Sequence, residues 1–591
     1  MNKDLRWNLD NIYSAIDSDK YKGDFSKLVS MTDEFNIWAK EIDSKEPIKV
    51  MEEYIAKTSE IYTLIEKINL YVNLLIYGDT SNTQALKARD LLSNVMTELT
   101  LPNVLFQKGL SKLENIFDLI EKSDSLIEHK FMLMEIYESS KYLLDEKEEI
   151  LISKLRQTGS ESWEMLQSIL TSTLTVNLGN EEEEIVPISV ARNLAYHENQ
   201  ATRKNAYEKE LKSYEKIEDS IAYSINSIKG EVNTITELRG YESPLHEALK
   251  KSKMQKETLD AMLSAIKDYL PDFWRYFKRK GELMGSDKGL AFYDLFAPLG
   301  KTGNTFTYDE ARVFIEENFA KYSEKLKNYA KKAFDEEWID VAPRENKVSG
   351  AFCSGCYDIE ESRILTNFTG TMSDVITLAH ELGHGYHNDC IYGESILNTD
   401  SPMPLAETAS TFCETIVNQA IISSCETDEE KLYILDNSLQ DAGQVICDIY
   451  SRFLFESEVF ENRKDSSLSV ADLKETMTNS QKEAYGSGLN HELLHPYMWV
   501  IKPHYYSGSL SFYNFPYAFG LLFAKGLYSK YLEDKEEFIP KYDILLSSTG
   551  KNTAEDVAKI MDVDITKKEF WASSLELIKG DIEKFLEITG V

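Results

Sequence analysis

Along residues 1–170 aliphatic positions recur every three or four residues, with Lys and Glu between them. That spacing predicts successive helices that each bury one face. Residues 48–68, 83–97 and 143–155 are the clearest cases. The period changes at 170–190, where Thr and Val alternate, Gly-Asn punctuates and a second short β-like run follows. This predicts a hairpin, with the four glutamates Glu181–Glu184 as a solvated turn rather than a cation site. Helical spacing resumes near residue 188, without repeats or low-complexity linkers. From about residue 341, KVSGAFCSGCYDIEESRILTNFTG holds two β-like runs and ends on Gly370. Thr371-x-x-Asp374 then has the form of a capping box opening a helix. Further helices are expected at 405–423 and 428–462, followed by a Tyr-rich segment at 491–531 and C-terminal helices. The pattern describes a mainly α fold with a small β-sheet beside the helix that starts at Thr371. It divides the chain into an N-terminal helical region, 1–187, and a second region, 188–591.

Composition narrows the function classes. Sixty-five basic against 100 acidic side chains leave a net charge of −35. Phosphate neutralisation needs clustered cations, so nucleic acid is not an expected partner, nor is an anionic membrane surface. Only 27 Gly and 13 Pro in 591 residues agree with a helical chain. Six cysteines are too few for a disulfide framework. Cys353 and Cys356 form a lone CxxC, read as two free thiols on a strand. MNKDLRWNLDNIY has no apolar core and no small-residue cleavage site, so it is not read as a signal peptide. No run of 18 apolar residues occurs. A cytoplasmic protein with no obligate protein partner is expected.

The chemistry lies in His380-Glu381-Leu382-Gly383-His384, an H-E-x-x-H on the capped helix. Two His four positions apart sit about 40° apart on one face, so both imidazoles can reach one Zn²⁺. Glu381 is placed to touch a water rather than the metal. A second copy, His491-Glu492-Leu493-Leu494-His495, follows Gly486, Gly488 and Asn490 and is followed directly by Pro496. The residue before proline is disfavoured in the α region, so His495 should leave the helix and break the pairing. A catalytic zinc takes a third protein ligand and keeps one open position. His387 lies about 10.5 Å along the axis from His380, too far to share the ion; it reads as a supporting or substrate-facing group. The better ligand lies in PMPLAETASTFCETIVNQA, residues 402–420. There Glu407 is flanked by the small Ala406, Thr408, Ala409 and Ser410. Glu414, two turns later among bulkier neighbours, reads as a hydrogen-bond acceptor behind the ligands.

These segments together resemble the oligoendopeptidase F branch of the thimet-oligopeptidase-like zinc metallopeptidases. TLAHELGHGYH, then AETASTF with its Glu 23 residues after the second His, then KPHYYSGSLSFYNFPYAFG follow in that family's order. LRWNLDNIY at the start and ESRILTNFTG before the zinc helix are similar too. The likeness covers most of the chain, centrally from about residue 187 to 577. It implies a two-lobed helical fold with a deep central cleft, one Zn²⁺ per chain, Glu407 as the third ligand, and cleavage of internal bonds in oligopeptides. Where many relatives carry alternating tyrosines after the later His, this chain has Phe515 and Pro516.

The Tyr-rich segment offers His504, Tyr505, Tyr506, Tyr513 and Tyr517 as oxyanion donors. Aromatics at this density ordinarily pack a core. His504 differs, because it follows Lys502-Pro503 and opens a Gly-containing loop, Ser507-Gly508-Ser509. By resemblance a His there and a following Tyr hydrogen-bond the tetrahedral intermediate; Tyr513 is expected in that role, with Tyr506, Tyr517 and His387 toward substrate. The strand at 364–368 is expected to take substrate backbone as an added strand. Two other readings stay open. A zinc carboxypeptidase of similar helical architecture would need a cation for the substrate's terminal carboxylate. An inactive peptide-binding protein is opposed by the intact Glu381 and complete ligand set.

Overall fold

Local signals translate closely into helices. Residues 83–97 form one helix, Thr83–Thr97, capped by the Asn82 side chain. The stretch begun at 48 runs on as a 32-residue helix, Pro47–Gly78, with Pro at its first turn and Glu46 as cap. The third expected helix starts at an Asp145 capping box and spans Glu146–Thr158. The computed structural model describes residues 5–179, 182–300 and 305–590. Glu181 and Met1–Asp4 therefore lie outside the described residues; Glu182, Glu183 and Glu184 are exposed. The fold is 72% helical, which settles the mainly α class. No helix among the described residues is long and apolar enough to cross a membrane.

Five short strands punctuate the described helices: β1 (Thr175–Asn177), β2 (Ile185–Pro187), β3 (Ile339–Asp340), β4 (Phe352–Cys356) and β5 (Glu361–Leu365). β1 and β2 form the expected hairpin, Val176 opposite Val186. The other three form a sheet in the order β3-β5-β4, parallel then antiparallel. This order corrects the expectation for 364–368. β5 is the middle strand, and Thr366 and Phe368 donate to the carbonyls of Asp340 and Val341. Ile364 and Leu365 are thus paired on both sides and leave no edge for a substrate; β3 and β4 are the two edge strands.

The chain folds into two compact units whose boundaries differ from the sequence texture change at 187/188. The first comprises Met1–Tyr142, Asn304–Ile421 and Lys530–Asp562; the second comprises Leu143–Gly303, Ile422–Ser529 and Val563–Val591. In the first, Ile12, Leu28, Met51, Ile68, Phe106 and Leu133 anchor one continuous apolar core. An aromatic wall of Tyr322, Phe412, Phe538 and Tyr542 backs the helix Thr408–Ser424. In the second, the expected helix 428–462 appears as Asp428–Gly443, a π-helical turn at Gln444–Asp448, and Ile449–Asp465. Its interior contains fully buried ion pairs, Lys280–Asp436 and Lys229–Glu456. Removing one partner from such a pair leaves an uncompensated charge, so their geometry is tightly held.

Cys353 and Cys356 are free thiols on β4, as expected. Burial pushes both thiols up, Cys356 to about 12, so neither is a thiolate at neutral pH.

Candidate metal centre

The helix Met372–Ile391 begins with the predicted capping box: Thr371 accepts from the Asp374 N–H, and Asp374 accepts from the Thr371 N–H. This end fixes the register that puts His380 and His384 one turn apart, ring centroids 4.9 Å. The other face of the helix is tied to the same unit's C-terminal segment. Tyr386 donates to Asp543 at 2.6 Å, and His387 Nε2 pairs with the Thr549 hydroxyl at 2.9 Å.

Glu407 comes from a break in the next helical stretch. The expected helix 405–423 is two pieces, Met403–Ala406 and Thr408–Ser424, with Glu407 between them at φ −89°, ψ 4°. The Thr411 N–H donates to the Glu407 carbonyl, so Glu407 stands at the head of the second piece. Its Oε2 lies 3.3 Å from His380 Nε2 and 3.3 Å from His384 Nε2. All three ligand atoms fall within 4.8 Å of one another, and the three residues form a group able to hold a metal ion. Two imidazole nitrogens and a carboxylate oxygen match the donor set of an open catalytic site. Ser410 Oγ donates to the same Glu407 oxygen at 2.8 Å. Glu414 Oε2 meets His380 Nδ1 at 3.0 Å, leaving Nε2 toward the metal position.

The electrostatics fit a cation. Burial opposes protonation of His380, yet the Glu407 and Glu414 carboxylates push it up to about 10. Burial likewise opposes ionisation of Glu407, but its hydrogen bonds to His380 and His384 hold it well below the usual carboxylate range. The group thus favours positive charge at its centre. Glu381 is 6% exposed, and its Oε2 has no hydrogen-bond partner. Burial raises its pKa, and the neighbouring histidines partly reverse this. A buried unpaired carboxylate oxygen is costly unless something delivers a proton to it.

Two small residues that the sequence reading passed over make the convergence possible. A Cβ on Gly383 would stand 2.6 Å from the Ala409 carbonyl oxygen, and one on Gly385 would overlap the Tyr329 hydroxyl. Their only sequence signal is Gly inside a helical pattern.

The remaining expected residues divide. His504, Tyr513 and Tyr517 gather in the second unit: His504 lies 5.0 Å from Tyr513 and 6.2 Å from Tyr517, ring to ring. Tyr517 is 37% exposed, and His504 Nδ1 has no hydrogen-bond partner. Burial, then Arg452 and Lys502, lowers the His504 pKa, favouring neutral imidazole. Tyr506, by contrast, is fully buried and donates to the Trp499 carbonyl, and Tyr505 packs on Phe455. His387 is 4% exposed. Tyr506 and His387 therefore lack the solvent-facing surface that a substrate contact requires, a difference from the expectation. The second H-E-x-x-H is not helical: His491 Nε2 pairs with the Gly486 carbonyl, and His495 is buried with Nε2 3.4 Å from Glu210.

Comparison with known proteins adds a lineage to this geometry. Residues 193–577 match the model of peptidase family M3, and residues 113–175 match that of oligopeptidase F. The chain is similar to the oligoendopeptidase F homolog of Lactococcus lactis subsp. lactis, 24% identical over an alignment of 609 residues covering 99% of this chain and 97% of that protein. It is similar to oligopeptidase PepF of Bacillus subtilis, 22% identical over 550 residues, 91% of this chain and 80% of that one. The crystal structure of oligoendopeptidase-F from Enterococcus faecium shares the fold, with a TM-score of 0.71 at 18% identity, covering 96% and 99% of the two chains.

Proposed function

Since the chain belongs to peptidase family M3 and is a metallopeptidase, we propose that it is a cytoplasmic, zinc-dependent endopeptidase of short oligopeptides. The observation that carries this reading is Glu407 Oε2 standing 3.3 Å from both His Nε2 atoms. Two nitrogens and one oxygen at this spacing suit Zn²⁺, held by His380, His384 and Glu407. When bound there, zinc polarises the scissile carbonyl and lowers the pKa of water to about 7. Glu381, adjacent to the first ligand and with a free oxygen, takes the proton from the attacking water and passes it to the leaving amine. Glu414 fixes the ring of His380 through Nδ1. His504 and Tyr513 donate hydrogen bonds to the tetrahedral oxyanion, and Tyr517, partly exposed beside them, contacts substrate.

Substrate backbone pairs along β4, the edge strand on the side of the sheet away from β3. β4 runs beside the zinc helix: a Cβ on Gly355 would stand 3.0 Å from the side chains of Asn388 and Tyr392. Backbone pairing selects extended peptides with little regard to sequence. The names of the relatives, oligoendopeptidase F and oligopeptidase, support oligopeptides as the substrate class. Six free cysteines fit a reducing compartment.

The test is a digest of mixed-length peptides, read by mass spectrometry with and without chelator, alongside metal analysis. Internal cleavage that is lost on chelation and restored by Zn²⁺, with free and amidated C-termini cut alike, is the expected result. Release of single C-terminal residues from free-acid peptides alone would assign a carboxypeptidase instead.

A further inference from the structure

Tyr513 lies between two residues that are held by one buried carboxylate. Glu456, on the helix Ile449–Asp465, is 1% exposed. Its Oε1 accepts from the Phe512 N–H at 3.2 Å, and its Oε2 accepts from the Asn514 side-chain amide at 2.9 Å. Lys229, on the helix Glu218–Leu238 and without exposure, donates to Oε1 at 2.7 Å. Its ammonium also lies 4.4 Å over the Phe460 ring, which stacks on Phe512 at 5.5 Å. Lysine, carboxylate, backbone and ring form one closed group beneath the loop.

The backbone there is one that a side chain rarely adopts. Phe512 has φ +55°, the left-handed region, where a bulky residue is an outlier. Such a conformation persists only when its surroundings over-determine it. Two surroundings do so here. Phe453 and Phe460 pack on the Phe512 ring, and Glu456 accepts its N–H. The Asn514 N–H then donates to the Phe512 carbonyl at 2.7 Å, and the Asn514 side chain accepts from the Phe515 N–H, starting the next helix. The turn at 512–514 therefore aims Tyr513 alone outward while both neighbours stay buried, Phe512 at 3% and Asn514 at 2%. The Tyr513 ring ends 5.0 Å from His504 and 5.4 Å from Tyr517.

We propose that the buried Lys229–Glu456 pair is a positioning device for Tyr513: it holds the strained turn at Phe512 and Asn514 that presents the phenol to the tetrahedral intermediate. Neither residue touches substrate. This rests on Tyr513 as the oxyanion donor assigned above. Glu456 supplies acceptors on both sides of Tyr513, and Lys229 makes burial of that negative charge tolerable. A neutral side chain at 456 would leave the turn free to relax toward ordinary φ, moving the phenol by more than the ångström that costs a preorganised donor its effect.

The experiment is a double-mutant cycle. Lys229→Met with Glu456→Gln removes both charges together, so no buried ion is left unpaired. This variant should lose tenfold or more in kcat, with KM and bound metal within twofold of the parent, and hydrogen exchange across residues 507–514 should quicken. Placed in a Tyr513→Phe background, the same pair of changes should cost less than twofold, because the group it positions is gone. A merely structural role would cost the same factor in both backgrounds, and that result overturns the proposal. So does a folded Lys229→Met/Glu456→Gln enzyme with kcat within twofold of the parent. Should that variant fail to fold, Asn514→Ser leaves the ion pair intact, releases one side of the turn and must show the same background-dependent loss. A Tyr513→Phe enzyme with normal kcat would instead strike the assignment of Tyr513, a distinct outcome.

Discussion

A Cβ built on Gly383 would stand 2.6 Å from the Cα of Ser410. The helix carrying His380 and His384 and the helix carrying Glu407 thus touch backbone to backbone at the level of these three residues. Ser410, at that contact, also donates to Glu407 Oε2 at 2.8 Å, so the close approach and the ligand orientation are one feature. Gly383→Ala should therefore part the two helices and weaken metal binding. At an exposed helical site Gly to Ala stabilises by up to about 1 kcal/mol; here overpacking should destabilise by about 1–3 kcal/mol. Metal content after dialysis and a urea midpoint read both effects. A variant more stable than the parent, with full metal, would contradict the contact.

Glu381→Gln should keep its metal and lose roughly 10²–10⁴-fold in kcat, the usual contribution of a positioned base. The amide is nearly isosteric but cannot accept the proton from the attacking water. Single-turnover rates beside metal analysis decide it; activity within tenfold of the parent would remove Glu381 from the mechanism.

Metal content should fall in His384→Ala and Glu407→Ala and stay at one ion per chain in His491→Ala. Glu414→Ala should weaken affinity by roughly 10–100-fold without abolishing it, as expected for a group that orients a ligand rather than binding the ion. Competition with a chromophoric chelator measures all four. Metal lost from His491→Ala but kept in His384→Ala would move the site to the second motif.

The local structure around these residues was legible in the sequence where the determining physics is local. Thr371 and Asp374 cap a helix by themselves, and Pro496 is enough to deny His495 its helical partner. The break at Glu407 was not legible, because 405–423 is a good helical pattern. What opens it is tertiary: the carboxylate drawn to His380 and His384, and the Tyr542 hydroxyl donating to the Thr408 carbonyl from more than a hundred residues away. The sheet order was hidden for the same reason. Nothing in 361–368 announces that residues 339–341 lie along one edge and β4 along the other. Nor does the run Tyr505-Tyr506 declare that both rings are buried; that depends on Phe455 and Trp499.

His387 gives the fold a pH dependence of known sign. Burial, then His384, pushes it down to about 4 from an ordinary value of 6.5. As pH falls through 6.5 the unfolded chain takes up a proton that the folded chain refuses until about 4. The stability contributed by neutral His387 is thus present above 6.5 and lost between 6.5 and 4, amounting to about 3 kcal/mol. In chelator-treated protein, urea midpoints at pH 7.5 and 4.5 should fall more steeply for the parent than for His387→Gln, whose amide can still pair with Thr549. Equal falls would show that His387 titrates normally.

Tyr513 and Tyr506 are separated by seven residues and should respond oppositely to the loss of a hydroxyl. Tyr506 is fully buried, and its hydroxyl serves the Trp499 carbonyl at 2.8 Å. Tyr506→Phe leaves that carbonyl unpaired and should cost about 1–3 kcal/mol of stability, with kcat nearly unchanged in the folded fraction. The Tyr513 ring instead stands beside His504 and Tyr517 at a half-buried position. Tyr513→Phe should leave stability and metal content unchanged and lower kcat by roughly 10²–10³-fold, the cost of one oxyanion donor. KM should hardly move, because that bond forms mainly in the transition state. Thermal melts and steady-state kinetics on the two variants separate the roles. A Tyr506→Phe enzyme of parental stability with crippled kcat, beside a normal Tyr513→Phe enzyme, would exchange them.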